Sequence, residues 1–243
     1  MTTDGSKFPE QVLQARGDAT GSLPSDDRFA ADLRRFGPLG ILAILFILAG
    51  NSVVAPLSAV LVLIWAWRSR TPWREIGYLR PKNWIASVAI GIVFGCAFKF
   101  LMKAIVMPLL GADPINHAYH YLAGNRAALP GAIYAMIVVA GFGEETVFRG
   151  YLFERFGKIF GHRATAKVLT VLLTSVWFGL VHYPVQGLAG AEQAMITGLM
   201  FGTIFAITGR IWMLMVAHAA FDLTALAIIY WNLETKVAHL VFR

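Results

Sequence analysis

The chain has 243 residues, of which 57% are hydrophobic and 14% charged, with a mean hydropathy of +0.62. An ordinary soluble domain carries about 25% charged and about 45–50% apolar residues, so composition excludes one, and the lack of short alternating segments excludes a β-barrel. The net charge of +7 does not point to nucleic acid, because the basic residues lie between apolar runs, where cytoplasmic loops of membrane proteins concentrate Lys and Arg. The expected fold is therefore all-α: a polytopic transmembrane helical bundle of six to eight spans, in contact with membrane lipid and placed in a bacterial-type plasma membrane. Cys96 is the only cysteine; it forms no internal disulfide and reads as a structural thiol.

Residues 1–36 are polar, with almost no apolar periodicity and none of the layout of a signal peptide. They read as a disordered tail ahead of a single domain at 37–243. Leu39 to Trp67 is long for one span and short for two. Gly50-Asn51 and Pro56 interrupt its middle, which predicts a break or a tight helical hairpin. The segment 68–83 carries Arg68, Arg70, Arg74, Arg80 and Lys82 against Glu75 and is expected to be cytoplasmic. The next span runs from Trp84 toward Leu110. Its Lys99 and Lys103 share one face, and either they snorkel or the helix bends into the interface before Pro108. A polar connection over 111–128 leads to an apolar helix, Leu129 to Phe156, and then to a basic turn with Lys158, His162, Arg163 and Lys167. Three further spans fit Ala166–Tyr183, Glu192–Gly209 and Ile211–Trp231. Gly198 and Gly202 form a small-xxx-small pair suited to helix packing.

Within the Leu129–Phe156 helix, Glu144 and Glu145 stand side by side, and Arg149 follows. Ionisable groups at bilayer depth are costly and by default mark a functional site. Adjacent α-helical positions point about 100° apart, so the two glutamates are not expected to share one pocket. Glu145 and Arg149, at i and i+4, are placed to pair, which leaves Glu144 as the active carboxylate; a purely structural Glu–Arg clamp is the competing reading. His182 shares a helical face with Phe178. It is either a site residue or an interfacial histidine near the end of its span. His218 and Asp222 form a second i, i+4 pair, in which the carboxylate orients the imidazole or both ligate a metal. His117, His120, His162 and His239 lie in loops or the tail and read as solvated. With 157–167 inside, His182 falls near the far end of its span while His218 comes early in one that starts inside. Convergence of these groups thus requires some boundary to differ from those above.

The zinc helix His-Glu-x-x-His, the serine motif Gly-x-Ser-Gly and the aspartate motif Gly-x-Gly-Asp are missing. What is present is Glu144-Glu145-Thr-Val-Phe-Arg149-Gly150, Phe178–His182 as FxxxH, and His218-Ala-Ala-Phe-Asp222 as HxxxN/D. In order and spacing these resemble the CAAX-protease and bacteriocin-processing (Abi) family of intramembrane endopeptidases, similar to type II CAAX prenyl proteases. Thr208-Gly-Arg-Ile-Trp212 and Trp73-Arg-Glu-Ile-Gly77 extend the likeness, so that it covers about 72–231. The resemblance implies a helical bundle with a conical cavity inside the membrane. It also implies hydrolysis of a peptide bond in a lipidated or membrane-associated peptide or protein, including CAAX-type processing. Glu144 and His182 would activate water, His218 and the residue at 222 would stabilise the oxyanion, and Glu145 and Arg149 would support the site. Position 222 departs from this in one respect. An ionised Asp only accepts hydrogen bonds, so Asp222 is an oxyanion partner only when protonated and otherwise orients His218. No cofactor is needed in that scheme. Glu144, His182, His218 and Asp222 are also a nitrogen and oxygen set suited to zinc. Two other classes stand beside the protease: a non-catalytic scaffold or bacteriocin-immunity protein on the same fold, and a transporter with a buried proton relay, disfavoured by the lack of repeats.

Overall fold

The computed structural model describes residues 25–242, and among them there is no strand. The first described helix, α1 (Ser25–Arg34), lies within the segment expected to be a polar tail. Phe29, Ala30 and Leu33 recur at helical spacing on one side, and Ala30 and Leu33 are buried. Trp65 Nε1 donates to Leu33 O at 3.1 Å and Arg155 Nη1 to Arg34 O at 3.0 Å. Tertiary partners thus stabilise a helix too short and polar to stand alone. The remainder of that expectation, residues 1–24, falls outside the described residues.

Helices α2 (Pro38–Ala49) and α3 (Leu57–Arg68) form the expected hairpin. Its turn is closed by a reciprocal pair: Asn51 N donates to Ser58 Oγ and Ser58 N to Asn51 Oδ1, both at 2.9 Å. Each arm has 12 residues, against roughly 20 for a full crossing. The turn reaches inward, where a Cβ on Gly143 would meet Pro56 Cβ at 3.0 Å. The hairpin therefore supplies no pair of full spans, although Asp27–Arg34 and Pro38–Ser52, bent by 62°, are together long and apolar enough for one broken span.

Four helices are long and apolar enough to cross a membrane: α4 (Trp84–Leu109), α5 (Arg126–Phe160), α6 (Ala164–Thr208) and α7 (Trp212–Tyr230). The 45 residues of α6 are two helices, because Gly187 has φ 65 and ψ −165. The arms fold back antiparallel. A Cβ on Gly179 would meet Ala191 O at 2.9 Å, one on Gly198 would meet Ser175 Cα at 3.0 Å, and Lys167 Nζ donates to Ala206 O at 3.0 Å. These contacts match the two spans expected at 166–183 and 192–209, with Gly198 at the packing surface. That makes four helices able to cross, or five with the bent pair, against the six to eight expected, and the fold-back at Gly187 places two of the expected spans in one of them.

The segment 68–83 ties one end of the bundle together. Ile211 N donates to Gly77 O at 3.0 Å, and Gly77, at φ 81, lies so close to Phe205 that a Cβ would approach its ring to 2.4 Å. At the opposite end, Gly124 N donates to Tyr230 O at 3.0 Å, and Glu234 of the short helix α8 (Glu234–Ala238) meets His120 Nδ1 at 2.9 Å. Between the ends runs an aromatic core of Phe98, Phe201 and Phe221.

Candidate active site

The EExxxR stretch is not a regular α-helix. Within α5, residues 135–144 and 146–151 are π-helical, a geometry that widens the turn and recurs at functional sites. Glu144 and Glu145 leave the helix on the two sides of one imidazole. His218 Nδ1 donates to Glu145 Oε1 at 2.7 Å, while its Nε2 is 3.7 Å from Glu144 Oε2. The expectation that the glutamates diverge therefore holds only in part. Glu144 lines the cavity; Glu145 is fully buried behind it; both address His218.

Glu145 Oε1 also accepts from Arg149 Nη1 at 2.8 Å, as the i, i+4 spacing predicted. The Arg149 guanidinium lies 4.8 Å from the centroid of Phe178 and 5.5 Å from that of Phe201. This is an ion pair flanked by aromatic faces, which suit a weakly hydrated guanidinium. Phe178 thereby joins the supporting set by contact: its ring also lies 4.5 Å from the His182 ring and 6.0 Å from that of His218.

His182 lines the same cavity as Glu144. Its Nδ1 sits 2.7 Å from Phe178 O. A carbonyl only accepts, so Nδ1 carries the proton, and Nε2 presents its lone pair when the ring is neutral. That Nε2 faces Glu144 Oε2 at 4.0 Å. Asp222 Oδ2 is 3.8 Å from His218 Nε2. The orienting partner of His218 is therefore Glu145 on Nδ1, which corrects the reading that Asp222 fulfils that role.

The convergence that the span boundaries appeared to forbid has two causes. At 35 residues, roughly 50 Å at 1.5 Å per residue, α5 is far longer than the roughly 30 Å hydrocarbon core. Its last turns, with Glu154, Arg155 and Lys158 paired among themselves, extend past the site, which leaves Glu144 near mid-helix. Side chains on α6 also lean toward their own N-terminus, so the His182 ring drops back alongside Phe178.

These groups line a cavity of about 250 Å³. Sequence reasoning missed several of its walls: Tyr119, Gln186, Gln193, Thr197 and Lys99. Lys99 neither snorkels nor bends to the interface. It is 5% exposed, donates to Gln193 Oε1 at 3.0 Å and lies over the Phe221 ring at 4.7 Å. Lys103, on the same face, donates to Pro114 O. Their i, i+4 spacing was visible in the sequence; their direction depends on α7, against which Gly91 and Gly95 pack α4. Tyr119 stands outside the spans. Burial, with Asp222 and Glu144 nearby, pushes its phenol above the usual range, so it stays a neutral hydroxyl at physiological pH. It accepts from Gln186 Nε2 at 3.1 Å, which leaves its O–H available to donate.

The donor types at the site suit zinc. Their separations of 3.7–4.0 Å exceed the roughly 3.4 Å edge of a tetrahedron with 2.0–2.1 Å bonds. No group of three or more His, Cys, Asp or Glu among the described residues is placed to hold an ion. As arranged, the four side chains stand slightly farther apart than the ligands of one tetrahedral ion.

No curated protein and no solved structure matches the chain. Residues 126–224, however, match the family model described as type II CAAX prenyl endopeptidase Rce1-like. That stretch contains Glu144, Glu145, Arg149, Phe178, His182, His218 and Asp222, and over it this integral membrane bundle is similar to the type II CAAX prenyl endopeptidases.

Proposed function

We propose that the chain is an intramembrane endopeptidase of the glutamate type, acting on a lipidated or membrane-associated peptide or protein. One observation carries this reading. Glu144 Oε2 is buried without a hydrogen-bond partner in the protein and faces His182 Nε2, whose tautomer is set by Phe178 O. Two acceptors 4.0 Å apart can both take hydrogen bonds from one water. Glu144 removes a proton as the water oxygen attacks the scissile carbonyl carbon. The C–N bond then breaks, and the same proton passes to the leaving amine. His218, in its protonated form, donates from Nε2 to the oxyanion while Glu145 holds Nδ1; Tyr119 O–H is a second donor. Glu145 and Arg149 position His218 and do not touch the substrate.

The test is hydrolysis of a quenched membrane-peptide library by purified protein. Glu144→Ala and His182→Ala should each abolish turnover while retaining the native melting curve. Near-native turnover in either folded variant would refute the assignment of water activation. A folded native chain that cleaves nothing would return the non-catalytic scaffold reading.

A further inference from the structure

The cavity has a mouth, and the chain's charge distribution says which side of the membrane the mouth is on. One end of the bundle gathers 68–83, the turn after α5 and the 209–211 connection, joined by the Ile211–Gly77 hydrogen bond and by Arg210 Nη1 donating to Arg80 O at 3.5 Å. The other end gathers 110–125, the 184–190 turn of α6 and 231–242, joined by Gln186 to Tyr119 and His120 to Glu234. Segments 68–83 and 155–167 with Arg210 hold ten Lys and Arg, whereas the opposite end holds Lys103, Arg126 and Lys236 among the described residues. Short loops with such an excess of Lys and Arg stay in the cytoplasm.

Every cavity-lining residue drawn from a connection comes from the charge-poor end: Asn116, Tyr119, Tyr121, Leu122 and Gln186. A second cavity of about 160 Å³ shares Lys99, Asn116, Gln186 and Gln193 with the first. It continues outward to Asp113, His117 and Glu234. The Ile115 N–H and the His117 imidazole hold the Asp113 carboxyl below the usual carboxylate range, so this outer rim stays polar and charged. The basic end, in contrast, is closed by packing: Ile76, Ile211, Phe205 and Tyr151 are all buried there.

We infer that the catalytic cavity opens to the non-cytoplasmic side, so that its substrates are peptide segments presented at the outer leaflet or its aqueous face. A lipid-modified C-terminus held at the cytoplasmic leaflet does not reach Glu144. The substrate class rests on the proteolytic reading above; the orientation does not.

The experiment uses spheroplasts of a bacterium expressing the full chain with Cys96→Ser and one added cysteine: His117→Cys, Gln186→Cys or His162→Cys. A membrane-impermeant maleimide should label the first two on intact spheroplasts and His162→Cys only after permeabilisation. Labelling of His162→Cys on intact spheroplasts, alone or with the others, overturns the inference. In parallel, a membrane-impermeant quenched peptide is added outside, with Glu144→Ala as control. Glu144-dependent cleavage by intact spheroplasts is the expected result, and cleavage only after permeabilisation overturns the inference. Expected labelling with no cleavage in either condition refutes the proteolytic reading and leaves the orientation standing.

Discussion

Glu144, Glu145 and Asp222 all lie near His218, but they hold it differently, and single substitutions should separate their roles. Asp222 is the informative one. Its Oδ2 stands 3.8 Å from His218 Nε2, beside the proposed oxyanion position, and an ionised carboxylate there has no proton to donate. Asp222→Asn should preserve or raise turnover, since preorganised oxyanion donors are worth roughly 2.7–4 kcal/mol. Kinetics with elemental analysis of the same preparation check this. Stoichiometric metal that is lost with Asp222→Asn would replace the glutamate scheme with a metal one. Arg149 is a different case. Removing it leaves Glu145 buried without its counter-charge, at roughly 3–5 kcal/mol, so Arg149→Ala should melt markedly earlier in detergent. Glu145→Ala should lose both stability and turnover, because Glu145 holds His218 Nδ1 as well as Arg149. A Glu145→Ala protein with native turnover would remove His218 from the mechanism.

The antiparallel arms of α6 bring FxxxH to the site, and small residues set how closely they pack. Gly179 lies one residue after Phe178, and a Cβ there would sit 2.9 Å from Ala191 O and 3.2 Å from Met195 Cβ. Gly179→Leu should push the arms apart at a cost of roughly 1–3 kcal/mol. It should also displace His182, so that turnover falls more than melting temperature; an equal fall in both would mean that packing there does not control the site. This hairpin was largely legible in the sequence: two apolar runs, turn residues at 184–190 and the small-xxx-small pair predicted two packed spans. The EExxxR, FxxxH and HxxxD spacings likewise pointed to Glu144, His182, His218 and Asp222, which line one cavity, but not to Lys99 and Tyr119 beside them. What sequence spacing did not supply was direction. The π-helical turns of α5 let adjacent glutamates straddle His218, where a 100° rule for α-helix separates them. Lys99 and Lys103 turn inward because glycines of α4 pack against α7, a contact that periodicity in α4 alone does not encode. Helix α1 was missed because its last carbonyls find their partners in Trp65 and Arg155, distant in the chain.

At the scale of the whole molecule, the basic end acts as a clamp, with 73–83 touching α5, α6 and α7 at once. Tyr78 is central to it. Its hydroxyl meets Thr146 Oγ1 at 2.7 Å, one residue from Glu145, and its ring stacks edge-on against Trp212 at 5.2 Å. Burial pushes the Tyr78 phenol up to about 12, with the Thr146 hydrogen bond opposing part of that rise. A phenol with a raised folded pKa binds its proton more tightly folded than unfolded, so its contribution is complete below the ordinary value of 10.0. That contribution is then lost as pH rises toward about 12. The size is roughly 3 kcal/mol at about 1.36 kcal/mol per unit. Lysines titrate in the same range, so the measurement is a difference: thermal melts of the native chain and of Tyr78→Phe between pH 9 and 12. Below pH 10 the variant should be the less stable by about 1 kcal/mol, the worth of one hydrogen bond. Above pH 10 the gap should close and reverse, because a phenylalanine has no proton to lose. Parallel curves across the whole range would show that Tyr78 is not buried in the clamp and that the basic end is looser than its packing indicates.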